Sequence, residues 1–538
     1  KGGINNDDNK NRRLERQKVY KIGVDGKHII FNNITVDWKL STSEASEKRP
    51  NERYITYVDK QDASTITQTD LDTQKPYFFS ISGDDNDASK FEIDEISEEK
   101  KYTKEQKISS KIDVTIPLTA IGNYKNSLKF GYKLKNKEKL RDNDYNEFDV
   151  DNYSQYEFLN ATPNSSQTLN GFLAGNQYKS GLFATNALLG SLNLTDGEAI
   201  LEEFVPQNYN AKENIYAFYG MLNQKLGNKF SFILGLRAEK TSVDYTGYQI
   251  DVETAETLDD VEKTSGSQTY TNWMPNLHLK YKPLQNLIVR AAWTNTIARP
   301  NYYDLVPYEN FNSDDLEASF GNPNLKAATS TNLDLMGEYY FKNIGIISFG
   351  GFYKNINDFI YEKTVKENLV LGSNTSEEYE VTRPYNGATA KVYGFEFALQ
   401  RKLNFLPGFL RNITFYGNYT YTGSETSGIE GREDGLTLSG AVKNMLNTSL
   451  AYETSKFTLR ASLNFADDYI DTYEGDVFDD AYYDEQLFVD INASYKIAKG
   501  FRIFAEGKNL TNQALRYYQG SKNRTKQVEY YNYNWNIG

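Results

Sequence analysis

Along the last third of the chain, apolar and polar side chains trade places at every step. Leu487, Val489, Ile491, Ala493, Tyr495 and Ile497 alternate with Phe488, Asp490, Asn492, Ser494 and Lys496. Phe457, Leu459, Ala461, Leu463 and Phe465 do the same against Thr458, Arg460, Ser462 and Asn464. The pattern recurs in Ile413, Phe415, Gly417, Tyr419 and Tyr421, and again in Leu333, Leu335, Gly337, Tyr339 and Phe341. A period of two puts each apolar set on one face of a β-strand and each polar set on the other. The runs reach about nine residues, the length a tilted strand needs to cross the hydrocarbon of a bilayer. Leu487, Val489, Ile491, Leu459, Leu463, Ile413 and Phe415 are therefore expected against lipid, with Asp490, Asn492, Arg460 and Asn418 in an aqueous lumen.

The connections decide between a soluble sandwich and a membrane barrel. Short polar turns are expected at Asp25-Gly26-Lys27, Ile121-Gly122-Asn123, Leu226-Gly227-Asn228, Pro283 to Asn286, Lys342 to Gly345, Pro407-Gly408, Thr454-Ser455-Lys456 and Ala498-Lys499-Gly500. Longer polar segments fall between them, near residues 45–107, 143–212, 249–269, 299–327, 366–378, 424–438, 470–484 and 518–527. Short and long connections alternate, the asymmetry of an outer-membrane barrel with tight periplasmic turns and long extracellular loops. The expected fold is thus all-β, a transmembrane antiparallel barrel filling residues 1–538. About seventeen strands are expected, from one near 10–24 to one near 528–538, the last descending to the periplasm. Large plugged barrels close with 22 strands. If the last strand is the twenty-second, the first here is the sixth, and the two directions agree. A plug and five strands would then precede Lys1, and Asn536-Ile537-Gly538 would stop a few residues short of the terminal aromatic strand.

Composition supports a barrel. Hydrophobic residues make up 39% of the 538 residues and mean hydropathy is −0.67, low for a chain burying several soluble cores. Yet there are 42 Tyr and 30 Phe. A barrel uses many aromatics in its two interfacial girdles without long apolar runs. No run of about 18 apolar residues occurs, which excludes a membrane helix and says nothing against strands. The polar start at Lys1 lacks the apolar core of an export signal, so a mature terminus further upstream is expected. Without cysteine there are no disulfides or thiolate chemistry. The net charge of −13 argues against non-specific nucleic-acid binding. His28 and His278 stand far apart, and no zincin pair, phosphate loop or nucleophile elbow is present, so no enzyme is expected.

The stretch from Arg290 to Pro307, RAAWTNTIARPNYYDLVP, resembles a signature of TonB-dependent receptors. Gly321-Asn322-Pro323-Asn324-Leu325-Lys326 follows it, then Tyr339-Tyr340-Phe341 and Phe352-Tyr353-Lys354-Asn355-Ile356. Val392-Tyr393-Gly394-Phe395-Glu396 and Lys508-Asn509-Leu510-Thr511-Asn512 resemble later elements of the same family, the last one in its penultimate strand. The elements stand in family order across nearly the whole chain. The Arg-Pro-Asn-Tyr form is most similar to the Xanthomonas–Caulobacter subclass and its relatives in Bacteroidota. The resemblance implies active nutrient uptake: ligand binds extracellular loops and a plug, and an inner-membrane complex pulls on a TonB box using the proton gradient. Family substrates include ferric chelates, haem, cobalamin and glycans, and a surface lipoprotein caps some glycan importers. Neither plug nor TonB box lies in these residues. A passive porin or enzyme barrel, and a large glycan-binding surface protein, are the competing classes.

Two groups of residues are candidates for chemistry. Arg290, Trp293, Arg299, Tyr302, Tyr303 and Asp304 offer cations, stacking rings and a carboxylate suited to a sugar or an aromatic chelate. The same head of the 299–327 loop reads more readily as a cap folding that loop inward, since a family-wide motif suits barrel structure better than one ligand. Acidic clusters at Asp84 to Asp87, at Asp142 to Asp151 and at Asp467, Asp468, Asp471 onward to Asp484 supply hard oxygens that suit Ca²⁺, or serve as solvated loop charge. Phe183 to Leu189 predicts a short helix, packed within its loop in preference to against a partner.

Overall fold

Backbone pairing carries the period of two well beyond the segments where side-chain alternation reveals it. The computed structural model describes residues 14–31, 33–59, 87–118, 126–168, 181–250, 255–312, 315–342, 345–371 and 375–538, with short strand pieces at 4–5, 66–68 and 78–80. Seventeen long-range strands follow one another among these residues. They are β1 (Arg16–Ile30), β2 (Ile34–Asp59), β3 (Phe91–Leu118), β4 (Asn126–Glu147), β5 (Tyr209–Leu226), β6 (Phe230–Gln249), β7 (Glu262–Leu284), β8 (Leu287–Ala298) and β9 (Ala328–Tyr340). β10 (Gly345–Asn357), β11 (Thr389–Lys402), β12 (Ile413–Ser427), β13 (Asn444–Glu453), β14 (Phe457–Ala466), β15 (Gln486–Ala498), β16 (Phe501–Lys508) and β17 (Asn534–Ile537) complete the set. Each pairs antiparallel with the next, forming one continuous meander.

Register locks the two faces together across strands. One row runs through Val289, Gly337, Phe349, Phe397, Tyr419, Leu446, Phe465 and Leu487. The neighbouring row on the other face runs through Ile288, Glu338, Ser348, Ala398, Asn418, Asn447, Asn464 and Phe488. The first face is bare of other protein: Leu335 is 60% exposed and Phe349 58%. Such a surface is stable only against hydrocarbon, so it is the lipid face. Leu463 pairs with Val489 and Leu459 with Ala493 on it, whereas Arg460 opposes Asn492 on the inner face. Among the described residues, no helix is long and apolar enough to cross a membrane.

The strands depart from expectation at their ends. Asp25-Gly26-Lys27 is no turn; β1 runs through it, and the chain reverses at Phe31, whose φ is 47°, with Asn33 N–H donating to Ile30 O at 3.3 Å. Gly26 is required by its neighbour, because a Cβ there would lie 2.6 Å from the Trp38 indole. The Ile121-Gly122-Asn123 turn lies outside the described residues, between β3 and β4. The polar segments read as loops at 45–107 and 143–212 shrink to residues 60–90 and 148–208. Beyond the bilayer both faces of a strand meet water, so alternation fades while the backbone groups still need partners. At the C-terminal end Thr525–Glu529 pairs with Leu515–Gln519 in a loop sheet, and the last wall strand begins only at Asn534.

The wall is uneven. β2 and β3 have 26 and 28 residues, while β13 and β14 have 10 each. The helix expected near Phe183 to Leu189 is Asn186–Ser191, capped by the Thr185 hydroxyl, which accepts from Leu188 N–H at 3.3 Å. Its Leu188 and Leu189, with Leu192, pack on Ile55, Ile93 and Ile96 of the tall strands.

Candidate functional site

Arg299 begins the connection between β8 and β9, and its guanidinium has three claims on it. It lies 2.5 Å from Glu239, 3.0 Å from the Thr241 hydroxyl and 3.7 Å from Glu213, all on the inner face of β5 and β6. That anchor pulls the following one-turn helix, Tyr302–Leu305, against the wall. The Lys137 ammonium stands 4.8 Å above the Tyr302 ring. Tyr303 stacks on Tyr308 with centroids 4.0 Å apart, and the Arg141 guanidinium is 5.9 Å from its centre. Leu305, Val306 and Leu325 are buried with Tyr209, Ala211, Val243 and Tyr245. Two glycines make room: a Cβ on Gly247 would meet the Val306 side chain at 2.1 Å, and one on Gly321 the Val306 carbonyl at 1.7 Å. Burial pushes the Tyr302 and Tyr303 phenols well above their usual range, raises Tyr308 to about 12, and raises the Asp304 carboxyl, which Glu362 raises further. The head is a cap folded inward, with its cation and rings already occupied.

The remaining two residues of the expected constellation lie elsewhere. Arg290 is on the inner face of β8, bound to Glu338 at 3.1 Å. It sits nine positions before Arg299, about 30 Å at strand rise. Trp293 points the other way, level with Leu277 and Leu333 on the lipid face. An odd separation from Arg290 on one strand forbids a shared face.

The carboxylates proposed for Ca²⁺ also have other work. Among the described residues, no group of three or more His, Asp or Glu side chains is placed to hold a metal ion. Asp467 accepts from the Asn444 amide, and Asp468 from the Tyr518 hydroxyl at 2.5 Å. The Asp471 carboxyl is pushed up by burial. Downstream, Asp480 takes a two-point grip on Arg432 with both contacts at 2.8 Å, and both side chains are almost fully buried. Asp484 holds Arg516 at 2.7 Å. These acids fasten loops to one another.

The fastened loops enclose what the sequence did not suggest. Glu309–Asn312 and Glu317–Phe320 form a hairpin, which joins the hairpin Ile360–Leu371 and Thr375–Asn386 through a parallel pairing at Glu317 to Ser319. A second small sheet of Tyr469–Thr472, Ala481–Tyr483, Leu515–Gln519 and Thr525–Glu529 abuts it, with Thr364 N–H donating to Tyr473 O at 3.3 Å. Between them lies a cavity of about 840 Å³. Asn310, Asn312, Ser319, Thr364, Thr382 and Gln519 line it with amides and hydroxyls; Glu317, Glu380, Glu474, Asp476 and Asp479 supply carboxylates, and Lys366 and Lys526 cations. Burial lifts the Glu474 carboxyl above the ordinary range. Four connections distant in sequence build this wall, so no local motif announces it.

The inner face carries a second feature that the alternation of β4 makes legible. Lys129, Lys133, Lys135, Lys137, Lys139 and Arg141 occupy alternate positions of β4, hence one face. That face is the inner one, since Lys137 opposes Glu213 and Lys135 opposes Ile215 in the ladder that carries the Arg299 anchor.

Comparison with known proteins agrees with this architecture. The family model for the TonB-dependent receptor-like β-barrel matches residues 15–510. No curated protein matches the chain by sequence. Among solved structures, the ferric-catecholate import receptor Fiu of E. coli K12 superposes with a TM-score of 0.61 at 12% identity, covering 97% of this chain and 64% of Fiu. The pyoverdine receptor FpvA of Pseudomonas aeruginosa gives 0.57 at 12%, covering 99% and 63%. The ferric yersiniabactin receptor FyuA of Yersinia pestis gives 0.54 at 12%, covering 97% and 61%. The chain thus spans a little under two thirds of the length of these three. An inward-folded Arg-Pro-Asn-Tyr head, a wall with one lipid face and the family match over residues 15–510 together place the chain in the TonB-dependent receptor family, as its outer-membrane β-barrel.

Proposed function

We propose that this chain is the barrel of an active importer that captures a scarce nutrient outside the cell and passes it through a plugged lumen. The observation that carries the reading is the polar cavity of about 840 Å³ at the long-connection end, held by buried ion pairs instead of open loops. A site of that size takes a drug-sized or oligosaccharide-sized ligand. Passive porins leave an open aqueous channel and select by charged rings; a built cavity at the rim serves capture. The structural neighbours are an import receptor for ferric catecholate, an uptake receptor for ferric yersiniabactin and an outer-membrane receptor for pyoverdine, so iron chelates and glycans are the first substrate classes to test. Under this reading the seventeen strands are the sixth to the twenty-second of a 22-stranded barrel. A plug and a TonB box in the full-length protein would couple it to the inner-membrane complex.

The test uses cells carrying the full-length protein. A nutrient panel first finds the compound whose use requires it; accumulation of that compound is then followed with and without the inner-membrane energy complex. Accumulation should vanish without the complex. Uptake that needs the protein but persists in cells lacking the complex would leave a passive porin.

A further inference from the structure

We propose that three tyrosines on the outward face of the second loop sheet, Tyr469, Tyr483 and Tyr517, bind the sugar headgroup of an outer-leaflet glycolipid. The site faces away from the lumen and does not depend on what the importer carries. Ladder register fixes its direction. Phe465 pairs with Leu487, and Tyr469 pairs with Tyr483 four positions further along both strands, so the two tyrosines continue the lipid face of β14 and β15 upward. Tyr517 opposes Tyr483, and Gln527 opposes Tyr517, which carries the row across all four strands of the sheet. Ile470 and Tyr482, the next pair of the ladder, point the other way. They pack with Ile356 and Ala390, on the inner face of β10 and β11.

Height sets the row apart from the aromatic girdle. The lipid-facing run from Phe457 to Phe465 has a contour of about 26 Å and, tilted near 40°, covers about 20 Å of the barrel axis. That nearly fills the ~25 Å apolar band of such a wall. Phe465 and Tyr419 share a cross-strand row with Leu446 and form the girdle at the border. Asp467 follows on the same face, where it accepts from the Asn444 amide, and its charge marks the end of the hydrocarbon. Tyr469 stands about 13 Å along the strand from Phe465, or about 10 Å higher. The three rings therefore lie among headgroups and above acyl chains. Continuity with the lipid face supplies the occupant, because a lipid lodged against Phe465 and Leu487 brings its headgroup to this level.

The chemistry of the row selects sugar. Ring centroids are 5.5 Å apart between Tyr469 and Tyr483 and 4.7 Å apart between Tyr483 and Tyr517. They make a strip of amphipathic rings against which the C–H faces of a sugar can pack. Asp471 is the extra residue of a bulge between Ile470 and Thr472, a device that re-aims a side chain. Burial, and after it the Asp471 carboxylate, raises the Tyr469 and Tyr517 phenols, which stay neutral donors. Beyond Tyr517, Gln527 donates to Glu529 at 2.6 Å. The inward tyrosines are engaged, Tyr473 with Thr437 O and Tyr518 with Asp468. Among the described residues, no protein group bonds the Tyr469 or Tyr517 hydroxyl. Phenols, an amide and two carboxylates match sugar hydroxyls, which both donate and accept. The same carboxylates repel a phosphate, and the nearby Lys522 ammonium is held by Glu485 and Asp468 at 3.0 and 3.5 Å.

The test is native mass spectrometry of the full-length protein in detergent, offered equal amounts of digalactosyl diacylglycerol and phosphatidylglycerol with the same acyl chains. The sugar lipid should be retained in preference. Tyr469→Ala and Tyr517→Ala should each lower that preference by roughly two- to tenfold, the ratio an aromatic contact sustains. Tyr281→Ala, a lipid-face ring at the opposite border, should leave it unchanged, and heat-modifiable gel mobility confirms that each variant folds. Equal retention of the two lipids by the wild type overturns the proposal, as does a preference that survives both substitutions. A loss in Tyr281→Ala as large as in Tyr517→Ala would reduce the row to ordinary girdle contact and overturn it too. Free digalactosylglycerol bound as tightly as the whole lipid would assign the row to a soluble glycan, against the lipid headgroup.

Discussion

At the scale of single residues, the acids of the 467–485 connection carry the clearest lesson. Asp480 is 1% exposed, and its carboxylate receives two hydrogen bonds from Arg432 and one from the Glu474 amide. Asp480→Ala leaves the guanidinium buried without its partner, a change that costs roughly 3–5 kcal/mol. Limited proteolysis should then cut the 428–443 and 467–485 connections while the wall strands stay resistant. Asp304 shows the opposite sign. Its folded pKa is raised, chiefly by burial, so ionising it opposes docking of the loop head. Below the usual carboxylate range Asp304 and an Asp304→Asn variant should be equally stable; as pH rises through the elevated pKa the wild type should fall behind. Melting curves at pH 4 and pH 8 would show whether the gap opens in that direction. Gly247→Ala should displace Val306 and loosen the head, seen as faster cleavage between Arg299 and Lys326. From sequence, Arg299 was legible as important but its role was not. A motif specifies residue types, whereas the choice between gripping a ligand and gripping Glu239 depends on strands 60 positions away. Trp293 was misplaced for a simpler reason, since counting parity from Arg290 already assigns it to the lipid face.

Elements were easiest to read where hydrocarbon enforces alternation. β14 and β15 are legible from Leu459, Leu463 and Val489 because a bilayer penalises charge on that face and so favours apolar residues there. Leu463→Arg should therefore cost about 2–4 kcal/mol near the midplane, while Asn464→Lys, on the inner face, should be mild. Urea unfolding of both variants in lipid vesicles measures the difference; equal losses would mean that the faces are exchanged. The outer halves of β2 and β3 were missed because Glu44, Glu47, Lys48 and their neighbours are polar on both faces, the composition of a loop. Only ladder register shows that they are strand. Asp25-Gly26-Lys27 failed in the opposite sense: a sequence of turn type sits inside β1 because Gly26 lies under an indole.

For the whole molecule, the count of about seventeen strands and the alternation of short and long connections were both legible, since they need only punctuation and direction. The cavity was not, because it is assembled from connections more than 200 positions apart in sequence. If the long connections face the medium, protease added to intact cells should cut within 60–90 or 148–208 and spare the turns at Gly227 and Lys499. Cutting at those turns in intact cells, with the long connections untouched, would invert the orientation. The unequal strand lengths then have a consequence for what meets this protein from outside. With 28 residues in β3, a strand of this kind has a contour of about 90 Å and, tilted near 40°, an axial height of about 70 Å. The hydrocarbon occupies only about 25 Å of that. On that orientation one flank stands as a parapet well clear of the hydrocarbon, the first part of the wall that a large body in the medium meets.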